Sequence, residues 1–146
     1  WLIVCDIETK QTKNLAMFFE KLGSIVEIIN VDYHDRILAI TSHLPHLIAY
    51  TIVGTASDLE ADLKNDVIKY SASGFRDFTR IASSDPIMWR DVFLNNSDAV
   101  LEMLQRFNED LSDLQKAIRK KDGKKLHTFF TRTRSIREKI IDAGQS

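Results

Sequence analysis

The sequence has a single cysteine, Cys5, so no intramolecular disulfide can form, and Cys5 sits in an apolar run where it reads as a small hydrophobe in a reducing compartment. Charge of one sign is equally scarce. Lys+Arg number 20 against 21 Asp+Glu, a formal net charge of -1, which leaves no basic excess to neutralise a phosphate backbone and excludes nucleic acid as the expected partner. The run from Trp1 to Ile7 carries an acid at Asp6 and no basic leader, and no stretch reads as long enough to span a bilayer. Neither a signal peptide nor a membrane anchor is expected, and the cytoplasm is the expected location. A glycine-rich turn between a strand and a helix, with an acid about twenty residues further on, is also missing. That pattern cradles a dinucleotide, so no such cradle is expected here.

What is present suffices for a core: 146 residues, 44% of them hydrophobic, fit one compact domain or a domain plus a fragment. The first thirty residues differ in texture from the rest. Trp1-Leu2-Ile3-Val4-Cys5 and Ile25-Val26-Glu27-Ile28-Ile29 are short β-branched runs, which predicts strand, helix, strand. Thr9 or Thr12 can cap the helix between them, its apolar positions Leu15, Phe18, Phe19 and Leu22 recur at helical spacing, and Gly23 ends it. Two strands and one helix cannot cover both faces of a sheet, so residues 1–31 are expected to be the closing piece of a larger parallel-sheet domain. Residues 32–146 are expected to be all-α, giving a mainly α chain with a short β-α-β remnant at its start.

Within the helical part, polar breaks are expected near Thr55–Ser57, Ser71–Gly74, Ser83–Pro86, Asn95–Ser97 and Asp122-Gly123. The segment from His34 to about Gly54 is apolar nearly all round, which marks a central helix enclosed by others. Val100, Leu104, Phe107, Leu111, Leu114 and Ile118 alternate spacings of four and three, a long amphipathic helix closed by Lys120, Lys121 and Gly123. Leu126, Phe129, Phe130, Thr133, Ile136 and Ile140 then share a face, predicting an antiparallel hairpin of the last helices.

Two constellations could carry chemistry. On the central helix Asp35, Ser42 and His46 fall on one narrow face, a polar stripe that must either be satisfied internally or line a cavity. Pro45 cannot donate to the carbonyl of Thr41 and should bend the axis beside Ser42. The plainer alternative is a core helix whose histidines hydrogen-bond internally. His43 and His46 have no Glu or Cys at a matching spacing, so no metal site is assigned. His34-Asp35 is similar to the pair in HD-type metal phosphohydrolases, but the other His and His-Asp ligands of that group are missing.

The second constellation runs from Gly74-Phe75-Arg76-Asp77-Phe78-Thr79-Arg80-Ile81-Ala82 to Ser83-Ser84-Asp85-Pro86-Ile87-Met88-Trp89-Arg90-Asp91. Asp85-Pro86 is a helix cap followed by proline at the first helical position. Asp77 lies one turn before Arg80 and could hold its guanidinium, leaving the remaining donors for a carboxylate, which an arginine fork binds bidentately. Surface ion pairs and ordinary core aromatics at Phe78 and Trp89 are the alternative.

Taken together, His34-Asp35 through Ser42-His43-Leu44-Pro45-His46 and Gly74 through Trp89-Arg90-Asp91 resemble the C-terminal domain of the prephenate and arogenate dehydrogenase family. The resemblance covers essentially the whole chain, with residues 1–31 as the tail of the family's Rossmann-type nucleotide-binding domain. It implies an enzyme that oxidises and decarboxylates prephenate or arogenate with NAD or NADP in tyrosine biosynthesis, with the helical part holding substrate and homodimer. It further implies that Arg80 binds a substrate carboxylate, that His46 and Ser42 hydrogen-bond the substrate or face the cofactor, that Asp77 orients Arg80, and that Gly74 and Trp89 shape the pocket. The family's catalytic histidine would lie upstream of Trp1. No general base is assigned to this chain, which is expected to be inactive alone. Competing readings are a non-enzymatic helical dimerisation or carboxylate-sensing module and an all-α chorismate mutase using Arg119, Arg132, Arg134 and Arg137. The latter set suits a solvated face better than a converging pocket.

Overall fold

A computed structural model describes residues 1–59, 66 and 69–142. Strand β1 (Leu2–Val4) pairs in parallel with β2 (Glu27–Ile29), in the register Leu2↔Glu27, Ile3↔Ile28, Val4↔Ile29. Helix α1 (Lys10–Lys21) makes the crossover between them. Both threonines singled out as caps are used, because the Thr9 side chain accepts from the Thr12 amide while the Thr12 hydroxyl oxygen accepts from the Thr9 amide. The chain leaves α1 through Gly23 at φ +85°, a left-handed conformation that glycine adopts without penalty. Trp1 stacks on Phe19 at 4.3 Å, yet Leu2, Val4, Phe18 and Ile25 stay exposed, as one helix on a two-stranded sheet leaves them.

Asn30 caps the next helix by accepting from the Tyr33 amide, and Asp6 reaches across from the end of β1 to accept from Val31 N. Helix α2 (Val31–Leu38), a π-helical turn (Ala39–His43) and α3 (Leu44–Ser57) then form one helical run. The π turn sits just ahead of Pro45. Proline lacks the N–H that an α-helix needs at this point, and the Leu44 amide bonds the carbonyl five residues back, at Ala39. The helix extends through the break expected at Thr55–Ser57, and the helical segment expected after it falls largely outside the described residues.

Helix α4 (Ser73–Thr79) passes into a 3-10 turn (Arg80–Ser83). Helix α5 (Pro86–Asn95) starts where its cap predicted, with Asp85 Oδ1 accepting from the amides of Ile87 and Met88. Helix α6 (Ser97–Arg119) and α7 (Gly123–Asp142) follow. The chain divides into two compact units, Trp1–Met103 and Leu104–Ser146, so the boundary of compactness falls inside α6. Within the second unit the end of α6 and α7 run as the expected antiparallel hairpin, with Asp113 paired to Lys125 across the turn at 3.6 Å. The residue that turns the corner differs from expectation. Lys121 takes the left-handed conformation, at φ 52°, and Gly123 opens α7 instead of closing α6.

Two further expectations are corrected. The run Val31–Ser57 is, by length and composition, apolar enough to cross a membrane, although the sequence was read as having no such stretch. Nor is it enclosed among the described residues: Ala39, Leu44 and Ala49 are buried, but Ile40, Ile52 and Val53 are exposed. An all-round apolar helix needs cover on every side, and a single copy supplies it on some.

Candidate functional site

Among the described residues of the first unit the buried polar side chain is His43, 8% exposed, whose place is set by the π turn. Asn96, in the short link between α5 and α6, aims its side-chain amide at it. One Nδ2–H donates to the carbonyl of Asp35 at 2.9 Å and the same nitrogen lies 3.1 Å from His43 Nδ1. An amide nitrogen can only donate, so Nδ1 accepts and His43 is the neutral tautomer with its proton on Nε2. Burial pushes the His43 pKa below the usual 6.5, the nearby His34 and His46 push it the same way, and Asp35 opposes them.

One turn on, His46 donates from Nδ1 to the carbonyl of Ser42 at 2.9 Å, which leaves Nε2 as an acceptor when the ring is neutral. Its ring stacks on Trp89 of α5 at 3.6 Å between centroids. Trp89 also meets the edge of His43 at 6.1 Å and Phe93 at 5.5 Å. Although Trp89 is only 6% exposed, its indole Nε1–H has no hydrogen-bond partner among the described residues. A buried donor left unmade costs about 1–3 kcal/mol, and this one is closed off from solvent, so a ligand acceptor would reach it only after neighbouring side chains move.

The segment carrying Arg80 packs on the same helix. The 3-10 turn lies against α3, and Tyr50 on α3 donates its hydroxyl to the carbonyl of Ser84 at 2.7 Å. Arg80, Asp77 and Gly74 are all exposed, and among the described residues neither Asp77 nor Arg80 forms an ion pair, so the acid expected to hold the guanidinium does not do so in this state. A Cβ built on Gly74 would meet open space. Phe78 is exposed and is not a core aromatic. His34 pairs with its neighbour Asp35 at 2.9 Å. Of the anticipated residues, then, Ser42, His46 and Trp89 are brought into one contact set, while Arg80, Asp77 and Gly74 lie on the adjoining turn and helix. His43 and Asn96 were missed as site elements.

Among the described residues no group of three or more His, Cys, Asp or Glu side chains could hold a metal ion. Nor do the residues between β1 and α1 suit a dinucleotide: they include Asp6 and Glu8 and no glycine, so carboxylates stand where a pyrophosphate would need bare amides.

Comparison with known proteins is consistent across sequence and structure. The family described as "Prephenate dehydrogenase, dimerization domain" matches residues 30–132. The chain is similar to the cyclohexadienyl dehydrogenase of Zymomonas mobilis, 39% identical over 84% of this chain and 42% of that protein. It is also similar to the prephenate dehydrogenase of Lactococcus lactis, 31% identical over 89% of this chain and 36% of that protein. The chain thus spans less than half the length of these relatives. A crystal structure of prephenate dehydrogenase from Aquifex aeolicus, in complex with hydroxyphenyl propionate and NAD+, superposes with TM-score 0.85 at 32% identity, covering 95% of this chain and 49% of that one. Synechocystis arogenate dehydrogenase superposes with TM-score 0.82 at 25% identity, over 90% and 48%.

Proposed function

Because this chain belongs to the prephenate dehydrogenase dimerization-domain family, we propose that it is the substrate-binding and self-associating part of an NAD- or NADP-dependent prephenate or arogenate dehydrogenase. The observation that carries this reading is the stack of His46 on Trp89, with Ser42 tied beneath it and an unpartnered indole N–H beside it. Such a pairing offers an aromatic wall to a small ring-bearing acid, with the indole N–H as a donor once side chains part to admit it, and Arg80 on the adjoining turn offers a permanent positive charge for a carboxylate. In this reading His46 and Ser42 hydrogen-bond the ligand, Asp77 orients Arg80 once ligand is present, and Gly74 leaves room for the ligand's approach.

The cofactor's part is to accept a hydride. The acidic link between β1 and α1 does not suit its pyrophosphate, so we assign most of its binding and the general base to other residues of a longer polypeptide, with residues 1–31 as the end of that nucleotide-binding domain and 32–146 as the helical one. Self-association supplies the missing cover for Ile40, Ile52 and Val53 and for the bare faces of α6 and α7. The cytoplasm is the compartment we assign. Since the chain lacks a dinucleotide cradle, a carboxylate-sensing module without catalysis is the second reading.

The test is binding and turnover in the full-length polypeptide that carries this chain, with prephenate and arogenate offered separately. Arg80→Ala should weaken affinity for the carboxylate ligand about 10- to 100-fold, the range of a charge-assisted hydrogen bond. Unchanged affinity removes Arg80 from the site. Ligand binding without NAD(P)H formation favours the sensing module.

A further inference from the structure

Asn96 is 53 residues from His43 and 61 from Asp35, yet a single side-chain amide joins them. Its acceptors are Asp35, within α2 ahead of the π turn, and His43, the turn's last residue. A π turn is wider and less regular than an α-helical one, and Pro45 removes a further donor just beyond it. Without an external clamp this is the weakest stretch of the helix, and it is the stretch that carries Ser42 and leads into His46. His43 in turn meets Trp89 edge-on, while His46 stacks on the same indole.

We propose that Asn96 is a positioning residue for the ligand face: by donating across the π turn to the Asp35 carbonyl and to His43 Nδ1, it fixes the His43 tautomer and, through it, the placing of Trp89 against His46. The amide's two protons account for the two acceptors, and each acceptor has a lone pair to give. Aspartate would reverse the polarity, because a carboxylate only accepts; it would then favour a proton on His43 Nδ1 and would be repelled by the Asp35 carbonyl. Leucine would fill much of the same volume and make neither bond. Asn96 touches no reacting atom in this scheme and acts through the two histidines and the indole. The effect on ligand affinity rests on the function proposed above, but the tautomer and the indole do not.

The experiment is nitrogen-15 NMR of the histidine rings and of the Trp89 indole in the full-length polypeptide, for the unaltered sequence, Asn96→Asp and Asn96→Leu. The unaltered protein should show His43 with unprotonated Nδ1 and protonated Nε2. Asn96→Asp should move the proton to Nδ1 or protonate the ring fully at neutral pH, Asn96→Leu should mix the tautomers, and both should shift the Trp89 Nε1–H resonance. The KM for the carboxylate substrate should rise about 5- to 20-fold, with a smaller change in kcat, as expected for a residue that shapes binding. Unchanged His43 and Trp89 resonances in Asn96→Asp overturn the inference. Should Asn96→Leu fail to fold, Asn96→Asp, close to isosteric, still decides it. Altered resonances without any ligand binding by the unaltered protein would sustain the clamp and refute the proposed function; normal binding by the unaltered protein with unchanged His43 and Trp89 resonances in both variants would do the reverse.

Discussion

The two compact units use polar side chains in opposite ways. In the first, bonds reach far along the chain: Asn96 to His43 and Asp35, and Tyr50 to Ser84. Among the described residues of the second, polar side chains pair mostly a turn apart, as Lys116 with Asp113, Arg134 with Glu138 and Gln105 with Glu109, and Lys125–Asp113 closes only the hairpin corner. Local pairs of this kind are solvent-exposed and worth a few tenths of a kcal/mol each. Long-range buried bonds fix positions instead, and they lie beside the face proposed above to meet a ligand. The first unit is arranged to hold particular atoms in place. The second is arranged to present a surface, with Leu111, Ile118, Phe130, Ile136 and Ile140 bare along it.

The sharpest way to break that contrast is to charge the bare surface. Ile118 is 64% exposed, so Ile118→Glu should leave the fold of one copy nearly unaffected. If a second copy covers it, an unpaired carboxylate is buried at a cost of several kcal/mol, and association should weaken by about 100-fold or more. Sedimentation equilibrium reads this directly. A self-association constant that does not move takes Ile118 out of the contact. The same substitution should leave the His43 and Trp89 resonances in place, because it adds no partner to the long-range network.

A smaller effect should separate stability from binding within the first unit. Trp89→Phe removes an N–H that has no partner and keeps an aromatic ring against His46. Loss of an unsatisfied donor relieves a penalty, so the change in stability should be small, within about 1 kcal/mol in either direction once the smaller ring is allowed for. Affinity for the acidic ligand should fall about 3- to 10-fold, the value of one neutral hydrogen bond. Thermal unfolding and ligand titration on the same variant give both numbers. A large loss of stability with no loss of affinity would make Trp89 a packing residue only.

What the sequence disclosed follows the same division. Thr9, Gly23 and Asp85-Pro86 act on amides within a few residues, so caps and breaks were legible from short windows, and the strand-helix-strand start and the closing hairpin followed from periodicity. The π turn was half legible: Pro45 announced a disturbed helix, but not that it would take the form of a widened turn ahead of the proline, with His43 as the buried member. Asn96 was illegible, because nothing local says that an asparagine between two helices will reach a histidine 53 positions earlier. The left-handed corner at Lys121 was masked by a nearby glycine that looked better suited to it. The expected Asp77–Arg80 pair rested on spacing alone, and both side chains are exposed, where an ion pair gains little over hydration. That His46 bonds the Ser42 carbonyl and stacks on Trp89 joins two motifs far apart in the chain that only a combined reading could connect.

The gentlest test bears on charge in the two units. Asp113 lies in solvent, and its carboxyl is held below the ordinary value by a hydrogen bond from Lys116 and by the charge of Lys125, an influence that salt should screen. His43 is buried, and its depressed pKa should persist in salt. The groups bearing on His43 are His34, Asp35 and His46 on its own helical run, with the neutral Asn96 and Trp89 facing it from the other side. A histidine whose folded pKa lies below its unfolded value binds more protons when unfolded, so it favours the folded state above the unfolded pKa and loses that contribution as pH falls through the window beneath 6.5. The unfolding midpoint should therefore decline on acidification through that window at high and low salt alike, with uptake of at most one proton per chain attributable to this ring. His43→Gln, which keeps an acceptor for Asn96 but cannot titrate, should flatten the decline. An equal slope in the variant would assign the pH dependence to other groups and leave the tautomer of His43 without a thermodynamic consequence.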